Sequence, residues 1–151
     1  LRRARSEELP ALMRLLSDDP VSAGRGDQSD PADRPAYERA LAELMTDSSN
    51  EIVVVVDAAE DAVATMQLTR IPGMARRGAT RLLVEAVRVS SAHRSHGVGS
   101  AMMHWAMGPG ARAVDASLVQ LTSDEARTDA HRFYERLGFE GSHRGFKFRV
   151  D

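Results

Sequence analysis

The chain has 151 residues, of which 42% are hydrophobic, and this amount of apolar material predicts one domain over residues 1–151 with a single core. A formal net charge of −2 argues against general binding of nucleic acid or anionic membranes, and no apolar run reaches the roughly 18–20 residues that span a bilayer, so we expect a soluble, cytoplasmic protein. The lack of cysteine excludes disulfides, thiolate metal sites and a cysteine nucleophile.

The first half of the chain predicts two helices and a strand hairpin. Leucines at helical spacing indicate a helix over residues 6–16, and a second amphipathic helix follows over residues 35–45. The intervening residues 18–35 are rich in proline, glycine and aspartate, which predicts a mobile loop. The β-branched run 52–56 and the segment 63–71 predict the two strands of the hairpin.

The second half predicts further alternation of strands and helices. An alternating strand over residues 81–89 precedes an apolar helix, and a strand over residues 118–122 precedes another helix. A closing strand is predicted over residues 146–150. The sequence Gly108-Pro109-Gly110 predicts a break in the first of these helices, because proline removes an internal hydrogen bond. This order is typical of a mixed α+β (α/β) sheet domain.

One turn in the sequence is suited to bind an anion. Residues 94–100 (Arg-Ser-His-Gly-Val-Gly-Ser) follow a predicted strand and begin a helix. Glycine lets the backbone approach a ligand closely, and the first N–H groups of a helix lack internal partners and favour negative charge. The turn can therefore hold a diphosphate. From local features alone, a structural turn without a ligand is an equally good interpretation.

Two motifs carry a family resemblance. The pattern Arg94-x-x-Gly97-x-Gly99 is similar to the Q/R-x-x-G-x-G/A signature of the GNAT superfamily of N-acetyltransferases, and residues 133–139 resemble its second acetyl-CoA motif. The resemblance covers residues 80–150 closely and the N-terminal half only in element order. It implies a central mixed, mostly antiparallel sheet of six to seven strands flanked by about four helices. It also implies an enzyme that moves an acetyl group from acetyl-CoA to an amine.

The resemblance further implies where acetyl-CoA binds. In the family, this cosubstrate lies in a V-shaped split between the fourth and fifth strands. The backbone of Val87 and Val89 would pair with the pantetheine as an added strand. Backbone N–H groups of the glycine turn would hold the pyrophosphate, and they belong to Arg94, Ser95, His96, Gly97, Val98, Gly99 and Ser100.

A narrower similarity concerns the acceptor. Residues 127–134, together with Ser142 and His143, resemble the aminoalkylphosphonate acetyltransferases, and Glu85 also fits the fourth strand of those enzymes. This similarity points to a small-molecule amine. The chain departs from the wider family at Arg127, because most members have asparagine seven residues before the motif tyrosine. An asparagine contact to the cosubstrate is therefore not expected here.

Glu85 is a candidate general base. It interrupts an otherwise apolar strand, so we expect its carboxyl to be partly desolvated, with a raised pKa. Such a group could deprotonate the acceptor amine directly or through water. A solvated glutamate beside the sheet edge is the alternative interpretation.

Tyr134 is the candidate general acid. It shares one helix face with Arg127 and His131, and a phenol with a pKa of about 10 can reprotonate a leaving thiolate. From the residues alone, packing of an ordinary Phe-Tyr pair is the alternative. The family resemblance favours the catalytic role.

Several basic residues are candidates for binding the acceptor. Arg25 and Arg76 lie in the two loops that the family pattern places beside the acceptor cleft, and Arg127 and His131 share the tyrosine face. Arginine forks suit phosphonate, phosphate or carboxylate, whereas solvated surface arginines are the alternative. His131 could instead act as a base. No metal site is predicted, because the five histidines lack the spacing of metal ligands.

Three functions are compatible with these features. The first is N-acetylation of a small molecule by direct transfer in a ternary complex, since no cysteine can carry the acetyl group. The second is acetylation of a protein or peptide, and the third is a non-catalytic acyl-CoA-binding sensor domain. A loop at residues 18–35 covering the cleft favours small acceptors, and the presence of both Glu85 and Tyr134 argues against a sensor. The compatible assemblies include a homodimer.

Overall fold

The computed structural model describes residues 1–24 and 26–150, and within them a five-stranded sheet carries helices on both faces. The strands follow chain order across the sheet, and all neighbours are antiparallel except the last pair, which is parallel. They are β1 Arg2–Arg3, β2 Asn50–Val56, β3 Ala62–Ile71, β4 Thr80–Val89 and β5 Ala116–Leu121. The predicted mixed, mostly antiparallel sheet is confirmed, with five strands rather than six to seven.

Seven α-helical segments accompany these strands within the described residues, six between strands and the last after β5. They are α1 Leu9–Ser17, α2 Pro20–Ala23, α3 Arg34–Thr46, α4 Ala75–Gly78, α5 Val98–Trp105, α6 Ala111–Ala113 and α7 Thr128–Arg136. The stretch predicted as a loop over residues 18–35 contains α2 and a 3₁₀ turn, Pro31–Asp33. None of the helices in the described ranges is long and apolar enough to cross a membrane.

The predicted helix break at Pro109 takes the form of a π-helical segment, Ala106–Gly110, between α5 and α6. Proline has no N–H to donate, and its ring displaces the carbonyl one turn earlier. A wider turn accommodates both effects while the chain keeps its overall direction.

The alternation of side chains across the strands produces two apolar layers. On one face, β2, β3 and β4 pack against α5, whose Met102 and Met103 are fully buried. On the other face, Val54 packs against residues of α1 and α3, among them Leu12 and Leu41. Because both faces of the central strands are covered, β3 and β4 are held in place in the middle of the sheet.

The predicted closing strand over residues 146–150 is absent. The segment has no regular secondary structure and no strand partner, and its side chains Phe146, Phe148 and Val150 are 90%, 91% and 89% exposed. The prediction from the alternating sequence is wrong, because forming a strand also requires a neighbouring edge to pair with. This missing pairing is one reason why the sheet has fewer strands than predicted.

Candidate active site

A β-bulge interrupts β4 near its centre. Ala86 and Val87 together oppose the single residue Met66 of β3. Ala86 has a φ of 48°, a left-handed conformation that costs a non-glycine residue about 1–2 kcal/mol. A bulge bends its strand and increases the local twist. The second half of β4 therefore takes a different direction from the first.

β4 and β5 separate beyond this point. Their parallel pairing begins at Thr80 with Ala116 and ends at Val84 with Leu121. From Glu85 onward, the edge of β4 that faced β5 has no neighbouring strand within the described sheet. An extended ligand can hydrogen-bond to such an edge as an added strand. The predicted split between the fourth and fifth strands is thus a feature of this fold.

The two valines predicted to bind pantetheine lie on this separated part of β4. The Val87 carbonyl accepts a hydrogen bond from Arg88 Nη1 at 2.8 Å, and the Val89 carbonyl accepts one from Arg94 Nε at 3.1 Å. Both donors are side chains rather than a strand. Since a carbonyl oxygen has two lone pairs, each can accept a second bond from an extended ligand.

The glycine turn connects this edge to α5. Gly97 is the N-cap of α5, with a φ of 82°, and no side chain caps the helix. Ser95, two residues earlier, also has a positive φ of 64°. The first N–H groups of α5 therefore have neither an intrahelical partner nor a side-chain cap, as expected for a diphosphate site.

The two glycines of the turn have different roles. A side chain at Gly97 would meet no atom within 4 Å, but the left-handed backbone there would be strained by any Cβ. A Cβ on Gly99 would instead contact Phe133 Cζ at 3.5 Å and Val89 Cγ2 at 3.7 Å. These are ordinary van der Waals distances, so the packing of α5 against β4 and α7 does not require glycine at this position.

The segment that follows α1 is attached to this turn. The Asp18 carboxylate accepts a hydrogen bond from the Ser91 N–H at 2.6 Å and lies 3.4 Å from Arg94 Nη2. Arg94 also donates to the Asp18 carbonyl. The guanidinium of Arg94 therefore joins the end of α1 to the carbonyl of Val89 on β4.

A second attachment joins α2 to β4 and α7. Arg127, at the N-terminus of α7, donates to the Asp19 carboxylate through both Nη atoms and to Ser22 Oγ at 3.3 Å. Arg88 of β4 donates to the same hydroxyl. Paired bonds of this kind between arginine and carboxylate are strong and geometrically specific. Arg127, predicted as an acceptor-binding residue, already has this internal partner.

The ion pair changes the titration of Asp19. Burial by itself would raise the pKa of this carboxyl, but hydrogen bonds from Arg127 and from the Ser22 N–H, and the positive charges of Arg127 and Arg88, lower it from 3.8 to about 2. The side chain of Asp19 is 15% exposed, so solvent screens the pair only in part. The anionic form of Asp19 therefore stabilises the attachment of α2.

Tyr134 lies among aromatic and arginine side chains. Its ring packs edge-on against Phe133 and Phe139, with centroid distances of 5.1 Å and 5.8 Å. Burial raises the pKa of the Tyr134 phenol, while the positive charges of Arg88 and Arg127 oppose the increase. The phenol consequently retains its proton at neutral pH. Both alternatives from the sequence, packing and proton donation, are compatible with this position.

Arg88 is a partly buried cation beside Tyr134. Burial lowers the pKa of its guanidinium, against the attraction of Asp19. Its Nε is buried without a hydrogen-bond partner. Arg88 and Arg127 together carry two positive charges, and the carboxylates of Asp19 and Asp27 attract Arg88. The positive charges of both arginines act on the phenol.

Glu85 is not in the partly desolvated surroundings that the sequence predicts. Its neighbour Val84 is buried, and the Glu85 side chain, on the opposite face of β4, is exposed to solvent. The expected partial desolvation of Glu85 is therefore wrong. The helices that cover this face of the sheet at β2 and β3 leave Glu85 uncovered.

The remaining candidates occupy separate places. His131 is part-buried, and because a carbonyl only accepts, its Nε2 donates to the Asp124 carbonyl at 2.8 Å, which leaves Nδ1 as the basic nitrogen. Arg76 is exposed on α4 with a φ of 53°. Arg25 lies outside the described residues. Among the described residues, no three His, Asp or Glu side chains are grouped as metal ligands.

Sequence reasoning missed Asp19, Ser22 and Arg88. Arg88 had a usable signal, because it places a charge between the apolar residues Val87 and Val89 at the end of a strand. Asp19 and Ser22 lay in a segment interpreted as a loop. Their partner Arg127 is more than one hundred residues away in the chain, and no local pattern relates positions so far apart.

The Asp19 pair predicts a pH-dependent stability. Replacement of Asp19 by asparagine should lower the free energy of unfolding at pH 7 by about 2 kcal/mol, since a carboxyl with a depressed pKa stabilises the fold above its unfolded pKa. The difference from the wild type should shrink as the pH falls from about 4 to about 2, where the folded protein takes up the proton. Urea unfolding across this range measures it.

Asp61→Asn is the matched control, because Asp61 is exposed in the turn between β2 and β3. It should leave the urea midpoint nearly unchanged. A loss of stability in Asp19→Asn that is the same at pH 2 and pH 7 would show that the carboxylate charge is not the cause.

The chain is similar to a known protein family and to solved structures. The acetyltransferase (GNAT) family model matches residues 9–139. A structure described as a transcriptional regulator from Bacillus halodurans C-125 has a TM-score of 0.92 and 36% identity, covering 99% of this chain and 97% of the other. A search of curated protein sequences finds no match.

Two further structures share the fold at lower identity. An acetyltransferase from Trypanosoma brucei has a TM-score of 0.77 and 21% identity, over 99% of this chain and 97% of the other. Glucosamine-6-phosphate N-acetyltransferase from Arabidopsis thaliana has a TM-score of 0.78 and 16% identity, with the same coverage of 99% and 97%. The family match includes the glycine turn and the tyrosine motif. The chain therefore belongs to the GNAT family, whose members are acyl-CoA-dependent N-acetyltransferases.

Proposed function

We propose that this protein transfers the acetyl group of acetyl-CoA to the primary amine of a small molecule by direct transfer in a ternary complex. The observation that carries the proposal is the free edge of the second half of β4, on the side that faced β5, which leads into the uncapped N-terminus of α5. Acetyl-CoA is an extended thioester with a diphosphate at one end. Its extended part would lie along the free edge of β4, and its diphosphate would lie at the N-terminus of α5, in the order in which these two features occur along the chain. The family match supports the same donor.

The donor would be held mainly by backbone atoms. Val87 and Val89 offer carbonyls on the open edge of β4, and the N–H groups of residues 94–100 would receive the pyrophosphate. Bound acetyl-CoA supplies the activated acyl group as a thioester. The chain contributes the orientation of that group beside Tyr134.

Tyr134 is proposed to protonate the departing thiolate. Its phenol is neutral at the working pH, because burial raises its pKa, so the proton is present when the C–S bond breaks. Bulk water can restore it afterwards. The packing against Phe133 and Phe139 holds the ring in one orientation, as a positioned general acid requires.

Two groups compete for the role of base. Glu85 is exposed on the separated half of β4, where it can accept the amine proton directly or through water. His131 is fixed through Nε2 and offers only Nδ1. We propose Glu85 as the base, because its strand also carries the proposed donor contacts, and retain His131 or water as the alternative.

The acceptor is proposed to be small and anionic, such as an aminoalkylphosphonate or an amino acid. The attachment of α2 to Arg88 of β4 and Arg127 of α7 keeps this segment beside the helix that carries Tyr134, and a segment covering the acceptor side favours small molecules. The guanidinium groups of Arg88 and Arg127, whose positive charges act on the Tyr134 phenol, favour an anion. Arg25, Arg76 and His131 are proposed as further contacts to it, while Arg127 would act together with Asp19.

Two other functions are alternatives to acetylation of a small molecule. Acetylation of a protein or peptide would need an acceptor cleft that admits a chain. A non-catalytic acyl-CoA sensor is favoured by one observation, namely that the structure at 36% identity is described as a transcriptional regulator. A homodimer is also part of the proposal.

An amine panel with acetyl-CoA and detection of released thiol decides among these functions. We expect turnover with aminoalkylphosphonates or amino acids to exceed turnover with alkylamines of similar size. A preference for peptides would replace the small-molecule assignment. Binding of acetyl-CoA without thiol release from any amine would support the sensor.

The glycine turn generates a binding prediction. Gly97→Val should raise the acetyl-CoA Kd by tenfold or more, because a β-branched residue cannot adopt a φ of 82° without moving the N–H groups of the turn. Calorimetric titration measures the change.

Gly141→Val is the control, since a Cβ there meets open space and the backbone is not left-handed. It should bind acetyl-CoA as the wild type does. Undiminished affinity in a folded Gly97→Val protein would reject the diphosphate site.

Tyr134→Phe should reduce kcat by roughly 100-fold with the acetyl-CoA Kd nearly unchanged, within the range for loss of a positioned general acid. The ring and its packing remain, so stability should change little. Tyr37→Phe is the matched control at the other tyrosine of the chain, whose hydroxyl contacts Asp27 at 3.3 Å, and its kcat should stay within about twofold. Full activity of the Tyr134→Phe protein would show that Tyr134 has only a packing role.

Glu85→Gln should lower kcat/KM for the amine and flatten the acidic limb of its pH profile. An acceptor amine is mostly protonated at neutral pH, so a base matters most at low pH. Glu43→Gln, at an exposed position of α3, should leave the profile unchanged. A neutral effect of Glu85→Gln at every pH would make His131 or ordered water the base.

A further inference from the structure

Asp19 is joined to two parts of the site that lie far from it in the chain. Its carboxylate accepts hydrogen bonds from both Nη atoms of Arg127, at the N-terminus of α7. Ser22 is only 2% exposed, and its Oγ accepts hydrogen bonds from Arg127 and from Arg88 of β4. The guanidinium groups of both arginines are thus bound to this one short segment.

Tyr134 lies beside the same two arginines. It follows Arg127 on α7 by about two helical turns, which places both side chains on one side of the helix. Arg88 lies on β4 between Val87 and Val89, and these valines pack against the same apolar core as Tyr134. The positive charges of Arg88 and Arg127 act on the phenol and oppose the rise in its pKa that burial causes.

We propose that Asp19 is a positioning residue for Tyr134: its carboxylate holds the guanidinium group of Arg127 and offsets part of the positive charge that acts on the phenol. This inference rests on the proposed function, in which the phenol protonates the departing thiolate. Without the negative charge of Asp19, the two arginines would stabilise the phenolate more strongly, and the tyrosine would lose its proton at a lower pH. At alkaline pH, a smaller fraction of the enzyme would then contain the acid.

Two further titratable groups lie near this arrangement. Asp27, which follows α2, attracts Arg88. His131, one turn before the tyrosine on α7, donates its Nε2–H to a backbone carbonyl. Asp19 differs from Asp27 in its paired hydrogen bonds to Arg127, so its charge is held at a fixed place.

The ion pair is buried enough for its charges to act on their surroundings. The side chains of Asp19 and Arg127 are 15% and 21% exposed, so water screens them less than it screens a surface pair. Asp19 Oδ1 also accepts a hydrogen bond from the Ser22 N–H at 2.8 Å. Asparagine keeps an acceptor oxygen of the same size, so an Asp19→Asn variant removes the charge and retains an acceptor for these donors.

Titration of the Tyr134 phenol tests the proposal without any ligand. The chain has two tyrosines, so a Tyr37→Phe background leaves one phenolate signal in the ultraviolet spectrum. Absorbance is recorded directly after a pH jump, while the protein is still folded. Asp19→Asn should move the titration midpoint to lower pH by about half a pH unit. Asp61→Asn, in the exposed turn between β2 and β3, should leave the midpoint unchanged.

Arg127→Gln provides the opposite change. It removes a positive charge and leaves Asp19 negative, so the midpoint should move to higher pH. The double variant Asp19→Asn/Arg127→Gln should lie between the two single variants. Unfolding alone would lower the midpoint of a buried tyrosine in every destabilised variant, so the rise in Arg127→Gln distinguishes the effect of charge. An unchanged or higher midpoint in Asp19→Asn, or a lower one in Arg127→Gln, would overturn the proposal.

The pH profile of acetyl transfer relates this titration to the reaction. In Asp19→Asn, the alkaline limb of kcat should move to lower pH by the same amount as the phenol, with the acetyl-CoA Kd nearly unchanged. A limb that stays in place while the phenol shifts would show that Asp19 has no positioning role in the reaction. A wild type that transfers no acetyl group would reject the proposed function, and the phenol titration would still decide whether Asp19 acts on Tyr134.

Discussion

The pairing of β4 with β5 only as far as Val84 is the constraint on which the rest of the site depends. Within the first half of β4 the strand is an ordinary member of the sheet, with its side chains buried on the face that meets α5. The bulge at Ala86 and Val87 then bends the strand, and its free edge becomes available to a ligand. The glycine turn follows at once, so an extended site and an anion site are continuous.

The attachment of α2 gives this opening its outer boundary. Asp18 is bound to the glycine turn, and Asp19 and Ser22 are bound to arginines of α7 and β4. One short segment thus connects the donor side of the site with the helix that carries Tyr134. Because the Asp19 carboxylate must be ionised to hold Arg127, the shape of the site and the charge beside the phenol depend on the same ion pair.

Two left-handed backbone positions lie in the proposed donor site. Ala86 and Ser95 have left-handed backbones without being glycine; Ala86 precedes Val87, and Ser95 belongs to the glycine turn. Such a conformation costs stability. It is not confined to the site, since Glu60 and Asp115 also have it.

The sequence by itself determined the local elements and the two family motifs. Period-two and helical patterns identified β2, β3, β4 and the main helices, because those patterns reflect which side chains each element buries. The glycine turn was predictable, since glycine is required at Gly97 by backbone geometry alone. Tyr134 was found through its motif rather than through any property of its neighbours.

Only the tertiary structure decided the contacts between distant segments. The burial of Glu85 was predicted wrongly, because the cover over a strand face depends on where other helices lie. The ion pair of Arg127 with Asp19 and the absence of a strand partner for the segment 146–150 likewise depend on which distant segments meet in the fold. Pairing of strands and ions requires two positions to meet, and a pattern along one stretch of chain specifies only one of them.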